Sequence, residues 1–98
     1  MDTCRTEPLD LQSLINNSET LIVDVRTQSE FSRGNVNGSI NIPLHELEDR
    51  VEELKTDKTV VMCCASGCRS GQAVAFLQAE GIEAYNGGGW SMVAAQKL

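Results

Sequence analysis

Two adjacent cysteines, followed by a glycine and an arginine, are the residues of this sequence best suited to covalent chemistry. Cys63 and Cys64 end an apolar run that starts at Val60, and Gly67 and Arg69 follow closely. In a parallel α/β sheet, ligands bind beyond the carboxyl ends of the strands, where the first free amides of the next helix point. Such amides lower the pKa of a thiol and attract anions. The spacing therefore predicts a nucleophilic cysteine in an anion-binding loop.

The positions of Gly67 and Arg69 indicate which cysteine starts the loop. Four residues separate Cys64 from Arg69, and the glycine is then the third residue after the cysteine. Counted from Cys63, five residues precede Arg69, which is the phosphatase spacing, but the glycine then falls one place late. We therefore predict that Cys64 is the nucleophile. The predicted substrate-binding loop consists of Ala65, Ser66, Gly67, Cys68, Arg69 and Ser70.

This loop requires a strand before it and a helix after it, and the apolar pattern predicts both. Residues 59–63 predict the strand, and apolar residues between 73 and 77 predict the buried face of a helix that ends at Gly81. Residues 21–25 form a continuous apolar run, typical of a parallel strand buried on both faces, and Arg26 follows at its end. Two strand ends are thus expected beside the site.

The other segments alternate between helix and strand, which implies right-handed crossovers and a parallel sheet. Asp10 is expected to cap a short first helix, and the capping box from Thr27 to Glu30 predicts a helix that Gly34 ends. Further predicted elements are a strand over 39–43, a helix over 45–55, a strand over 82–85, a mobile glycine turn over 86–89 and a short helix after Trp90.

Length and charge restrict the classes of protein that this chain can belong to. Its 98 residues, with 41% hydrophobic residues and two prolines, predict a single domain over residues 1–98. A net charge of -6 without a basic stripe argues against nucleic-acid binding. The same acidity repels a small anionic substrate at long range, so an anion site would depend on local donors such as Arg69 and the loop amides.

The first twenty residues and the cysteine positions indicate the cellular compartment. The N-terminal stretch lacks a basic start and a continuous apolar run, so neither a signal peptide nor a membrane span is expected, and we predict a cytoplasmic protein. Three of the four cysteines crowd into residues 63–68, and only Cys4 lies elsewhere, which argues against a disulfide framework. A zinc site is not expected, because adjacent cysteines cannot easily share one tetrahedral ion.

Several motifs together give the chain a resemblance to a known family. It resembles a single rhodanese-like sulfurtransferase domain over nearly its whole length. Asn35 and Ser39 depart from the family pattern, which usually has histidine and alanine there. The motifs that carry the resemblance are Asp24-Val25-Arg26, Glu30-Phe31, the run from Gly34 to Pro43, the Cys64 loop and Gly87-Gly88.

The resemblance implies a fold, a reaction and a set of partners. The fold would be a parallel sheet of four to five strands with helices on both faces. Cys64 would take the outer sulfur of a donor such as thiosulfate as a persulfide and pass it to cyanide, a thiol or a partner protein. This chemistry needs a nucleophile of low pKa and preorganised donors, and no metal or organic cofactor. We expect a monomer without nucleic-acid or membrane partners.

Six further residues have a structural interpretation, which for Arg26, Trp90 and Cys68 stands beside a functional one. Cys63 is expected to be a small buried side chain, because neighbours on a strand face opposite ways. His45 is expected on the surface at a helix start, and Cys4 as an incidental exposed thiol. Arg26 could pair with Asp24 or reach the pocket, and Trp90 could cover the core or wall the pocket. Cys68 could face solvent or resolve a Cys64 persulfide as a disulfide.

Two further functions remain open from the sequence. A phosphatase or arsenate reductase would use Cys63 with Arg69, although no acid for the leaving group is evident. A redox-sensing or sulfur-binding module would use the cysteine cluster without turnover. The register of Gly67 argues against the phosphatase, and the presence of both Cys64 and Arg69 argues against an inert module.

Overall fold

Parallel strands form the centre of the computed structural model, which describes residues 10–98. The strands in this part of the chain are β1 (Thr20–Asp24), β2 (Ile40–Asn41), β3 (Thr59–Cys64) and β4 (Ala84–Gly89). Their order in the sheet is β2-β1-β3-β4, and each neighbouring pair is parallel. Their carboxyl ends therefore meet at one edge. This confirms the predicted sheet, with four strands among the described residues.

Helical segments connect the strands and cover both faces of the sheet. They are α1 (Leu11–Ile15), α2 (Gln28–Ser32), α3 (Leu47–Arg50), α4 (Cys68–Ala79) and α5 (Trp90–Gln96). One core cluster joins β3 side chains such as Met62 to Leu47 and Leu77, and the other joins Val61 to Ile15 and Val93. Because Val61 and Met62 are consecutive, their side chains point to opposite faces, so helices on both faces are confirmed.

The helix caps follow local sequence signals. Asp10 accepts a hydrogen bond from the Ser13 amide at 3.0 Å and caps α1. Thr27 and Glu30 form the predicted capping box of α2. Gly81 has φ +82° directly after the end of α4, which confirms the predicted glycine stop. No helix among residues 10–98 is long and apolar enough to cross a membrane.

The segment between β2 and β3 differs from the single helix predicted over residues 45–55. Two 3-10 helices, Leu44–Glu46 and Val51–Leu54, flank the short α3. Like charges lie four residues apart at positions 48 and 52 and at 49 and 53, and such pairs disfavour a regular α-helix. The apolar side chains Leu47, Val51 and Leu54 are nevertheless buried as the pattern predicts.

The prediction of a mobile glycine turn after residue 85 is wrong, because the glycines belong to β4. The register shifts between Met62 and Cys63, and Gly88 and Gly89 pair with Cys63 and Cys64. A Cβ atom at Gly87 would lie 2.8 Å from Val93 Cγ2 and 2.9 Å from a Val61 methyl. Glycine is therefore needed here for close packing.

The strand before the loop, β3, ends one residue later than the sequence predicted. Cys64 is the last residue of β3 and not the first residue of the loop. Cys4, and any strand that precedes α1 in residues 1–9, lie outside the described residues.

Candidate active site

A glycine in the left-handed backbone conformation turns the chain from β3 into α4. Gly67 has φ +102° and precedes Cys68, the first residue of α4. A Cβ atom here would lie 3.3 Å from Gly88 Cα, so both the backbone angle and the space favour glycine. This curvature lets the Gly67 amide donate a hydrogen bond to Cys64 Sγ at 2.9 Å.

The sulfur of Cys64 is surrounded by hydrogen-bonding groups from the loop and from the first turn of α4. Besides Gly67, the Ser70 amide donates to Cys64 Sγ at 3.4 Å, and the Ser70 hydroxyl lies at the same distance. Burial raises the pKa of the Cys64 thiol, but bonds from Ser70, Gly67 and the Ser66 amide together outweigh burial and hold its pKa below the ordinary value. The site can therefore stabilise a thiolate without a cation in contact with it.

Cys63 has the opposite properties although it is the adjacent residue. Its side chain is fully buried in the second core cluster, as expected for a small apolar side chain. Burial, followed by the nearby Asp24 carboxylate, raises the pKa of Cys63 to about 12. The two neighbouring thiols therefore differ in acidity, since of the two only Cys64 lies in an environment that favours ionisation.

Asn86 ties the loop to β4, a role that sequence reasoning missed. The Ser70 hydroxyl donates to Asn86 Oδ1 at 2.7 Å, and the Gly88 amide donates to the same oxygen at 2.9 Å. Asn86 Nδ2 donates to the Gly67 carbonyl at 3.1 Å. Asn86 was predicted only as part of a turn, and no local signal linked it to a loop some 19 residues earlier.

Arg26 lies at the end of β1 and forms the predicted ion pair with Asp24. The distance from Arg26 Nη2 to Asp24 Oδ2 is 2.7 Å, and both side chains are at least 95% buried. Arg26 also donates to the Gly34 carbonyl at 2.6 Å, and its guanidinium stacks 4.6 Å from the centre of the Trp90 ring. These contacts support a structural role for Arg26.

Trp90 starts α5 directly after the glycines of β4. Its ring packs against the second core cluster and beside Gly34, where a Cβ atom would lie 2.9 Å from the indole. Trp90 therefore holds the end of β1, through Arg26, against the end of β4.

Arg69 is engaged by a carboxylate, a contact that the sequence analysis did not foresee. Arg69 donates to both oxygens of Glu30, at 2.8 and 3.0 Å. These bonds, followed by the one from the Thr27 amide, lower the pKa of Glu30 to about 2. The sequence identified Glu30 as a capping residue and as part of a family motif but not as a partner of Arg69, because a partner 39 positions away leaves no local pattern.

A cleft of about 300 Å³ adjoins the loop on the β1 side. It is lined by Val25, Thr27, Pro43, Leu44, His45 and Arg69. The Val25 amide donates to the Cys63 carbonyl at 2.9 Å, which places this wall of the cleft next to the end of β3. His45 is mostly exposed at the rim, in agreement with the predicted surface position.

Cys68 is exposed on the first turn of α4, whereas Cys64 is 1% exposed. The structure records both as free thiols. A role for Cys68 in resolving a Cys64 persulfide stays a prediction.

Comparison with known proteins shows which protein family the chain belongs to and which proteins it is similar to. A family model described as "Rhodanese-like domain" matches residues 7–95. The chain is 37% identical over 79 residues to thiosulfate sulfurtransferase PspE of Escherichia coli, covering 78% of this chain and 76% of PspE. It is 37% identical over 70 residues to a sulfurtransferase of Allochromatium vinosum, covering 71% of this chain and 65% of that protein. The match to the YqhL protein of Bacillus subtilis spans 52% of its length.

Solved structures show the same architecture. A rhodanese-related protein from Thermoplasma volcanium superposes with a TM-score of 0.72 and 34% identity, covering 82% of each chain. A structure described as rhodanese with anions from E. coli has a TM-score of 0.70 and 35% identity, covering 76% of this chain and 92% of that one.

Proposed function

Since the chain belongs to the rhodanese-like domain family, we propose that it is a sulfurtransferase that carries sulfane sulfur as a persulfide on Cys64. The observation that carries this proposal is the set of neutral groups around Cys64 Sγ: two amides that donate to it at 2.9 and 3.4 Å, and one hydroxyl at 3.4 Å. Such donors favour the thiolate as nucleophile and suit a persulfide anion afterwards.

The first half-reaction is an attack of the Cys64 thiolate on the outer sulfur of the donor. A new bond forms between the two sulfur atoms, the old bond of the donor breaks, and the electron pair leaves with the departing group, which is sulfite for thiosulfate or a thiol for an organic persulfide. In the second half-reaction, cyanide, a thiol or a protein cysteine attacks the outer sulfur, and Cys64 leaves as a thiolate. The loop residues Ala65 to Ser70 bind the donor in this scheme.

The environment of Cys63 supports the register that starts at Cys64. A phosphatase or arsenate reductase using Cys63 would need a thiolate at a fully buried position, where the pKa is raised to about 12. We propose in addition that the protein is monomeric and cytoplasmic; the cytoplasmic location is in keeping with three of the four cysteines crowding into residues 63–68, which leaves no framework of distant disulfides.

Intact-mass spectrometry tests the proposal. Wild-type protein treated with thiosulfate or an organic persulfide should gain one sulfur atom, and cyanide should remove it as thiocyanate. The Cys64→Ser variant should gain none, whereas Cys63→Ser, the matched control one residue away, should still be labelled. Labelling that survives in Cys64→Ser and disappears in Cys63→Ser would mean that Cys63, and not Cys64, is the nucleophile. Hydrolysis of an aryl phosphate that depends on Cys63 would favour the phosphatase function.

A further inference from the structure

The arginine of the active-site loop is neutralised by a carboxylate from another helix. Arg69 uses both terminal nitrogens on the two oxygens of Glu30, and both side chains are about one-third exposed, at 34% and 36%. A bidentate pair of this kind fixes the direction of the guanidinium as well as its charge. The cation expected to dock an anionic donor is thus already occupied.

The neighbouring arginine does not replace it. Arg26 is buried, is paired with Asp24 and makes further bonds to the carbonyls of Glu30 and Gly34. Among residues 10–98, Arg69 is the only Arg or Lys that lines the cleft. A dianion entering here meets no unpaired guanidinium or ammonium group from this part of the chain, whose full sequence has a net charge of -6.

The other walls of the cleft suit an uncharged, carbon-rich group. Val25, Pro43 and Leu44 are apolar, and Thr27 and His45 add neutral or weakly basic polar groups at the edge. The Val25 amide donates to the Cys63 carbonyl at 2.9 Å, so this apolar wall lies beside the residue that precedes Cys64. Burying an aliphatic group against this wall is favourable, whereas burying a doubly charged one is not.

We infer that the preferred sulfur donor is an organic hydropersulfide with an apolar substituent, and that Glu30 determines this preference by holding Arg69 away from dianionic donors. The inference rests on the proposed function. In the reaction, the Cys64 thiolate and R–S–S–H give Cys64–S–S⁻ and R–S–H: the bond to the outer sulfur forms, the donor bond breaks, and the proton ends on the departing thiol. No oxidant or reductant is consumed.

The Glu30→Gln variant tests the inference. Glutamine can still accept the hydrogen bond from the Thr27 amide, which is 2.9 Å long with Glu30. The start of α2 should therefore be kept while Arg69 loses its ionic partner. The measurement is kcat/KM for thiosulfate and for n-butyl hydropersulfide released in situ from a protected precursor. Wild type should prefer the hydropersulfide, and Glu30→Gln should raise the ratio of thiosulfate to hydropersulfide about tenfold, as expected for one charge-assisted hydrogen bond.

Glu53→Gln is the matched control, because it removes the same charge from an exposed pair with Arg50 away from the cleft. An equal rise of the ratio in Glu53→Gln would show that net charge, and not the Arg69 contact, sets the preference, and would overturn the role of Glu30. A wild-type preference for thiosulfate, or an unchanged ratio in Glu30→Gln, would overturn the inference as well.

A second variant tests the apolar wall independently. Leu44→Gln keeps the size of the side chain but makes it polar, and it should lower kcat/KM for n-butyl hydropersulfide about fivefold. An unchanged value would exclude this cleft as the site of the donor substituent. If neither donor labels Cys64 in the wild type, the proposed function itself fails, which is a different result from labelling by thiosulfate with the opposite preference.

Discussion

The carboxyl ends of β1 and β3 lie side by side in the sheet, where Asp24 pairs with Cys63, yet the two ends stabilise an anionic group in different ways. At the end of β1, the buried Asp24 carboxylate is held by the guanidinium of Arg26. At the end of β3, the sulfur of Cys64 is held by the neutral amides and hydroxyl of Gly67 and Ser70.

This difference separates a structural ion pair from a reactive group. A buried carboxylate and the guanidinium that faces it depend on each other, because removal of either group leaves a buried charge unpaired. Neutral donors impose no such condition, so Cys64 can be a thiol, a thiolate or a persulfide without leaving a buried charge unmatched. The contrast explains why two neighbouring strand ends with similar polarity would have different functions.

Removal of the charge at the β1 end should have the largest effect on stability. Asp24→Asn leaves the buried guanidinium of Arg26 without its counter-charge and should lower the free energy of unfolding by about 3–5 kcal/mol. Urea denaturation followed by circular dichroism measures it. Glu53→Gln, which breaks an exposed pair, is the control and should show almost no change. A loss in Asp24→Asn no larger than in the control would remove the structural distinction between the strand ends.

Substitutions at the β3 end should change the reactivity of Cys64 more than the stability of the fold. Ser70→Ala removes the hydroxyl near Cys64 Sγ, so the pKa of Cys64 should rise and alkylation by iodoacetamide at neutral pH should slow by roughly tenfold. Ser66→Ala keeps the backbone amide that also contacts the sulfur and should react at the wild-type rate. Mass spectrometry of the Cys64 peptide gives the rate. If both variants react equally, the hydroxyl has no share in stabilising the thiolate.

Trp90 offers a finer test of the β1 end, since its ring stacks on Arg26 at 4.6 Å. Trp90→Phe keeps an aromatic face, whereas Trp90→Leu removes it. Trp90→Leu should therefore be less stable than Trp90→Phe by about 1 kcal/mol, the size of one partly desolvated cation–π contact. Equal unfolding midpoints for the two variants would show that Trp90 acts through apolar packing alone.

The partly exposed pair between Glu30 and Arg69 should give the smallest effect on stability, and this effect should disappear in acid. The folded-state pKa of Glu30 is lowered from 4.5 to about 2, so its contribution to stability is complete above pH 4.5 and is lost as the pH falls towards 2. The stability difference between wild type and Glu30→Gln should thus shrink over this interval. A difference that stays constant down to pH 2 would contradict the lowered pKa.

Much of the fold follows from local sequence patterns. The apolar run before Asp24 predicts β1, and the signals at Thr27 and Gly81 predict a helix start and a helix end, because each depends on residues only a few positions apart. The loop after Cys64 is predictable for the same reason, since Cys64, Gly67 and Ser70 lie within one turn and one helix start.

The contacts that the sequence did not predict all join distant segments. Glu30 meets Arg69, and Asn86 meets Ser70, only after the sheet has brought their elements together. The glycines of β4 resemble a turn in sequence, but at Gly87 the lack of a side chain allows close packing against Val61 and Val93. A tertiary constraint of this kind overrides local propensity.

The hydroxyl of Ser70 carries a single proton, although it lies 3.4 Å from Cys64 Sγ and 2.7 Å from Asn86 Oδ1. While Cys64 is a thiol, its S–H can donate to Ser70 as Ser70 donates to Asn86, which gives one directed chain of hydrogen bonds. Once the sulfur is an anion, the hydroxyl can donate to it only by giving up its bond to Asn86 Oδ1, which would then keep only the Gly88 amide. A change in the chemical state of one sulfur atom can thus alter the hydrogen bonding of β4, and the Gly88 amide resonance would report it.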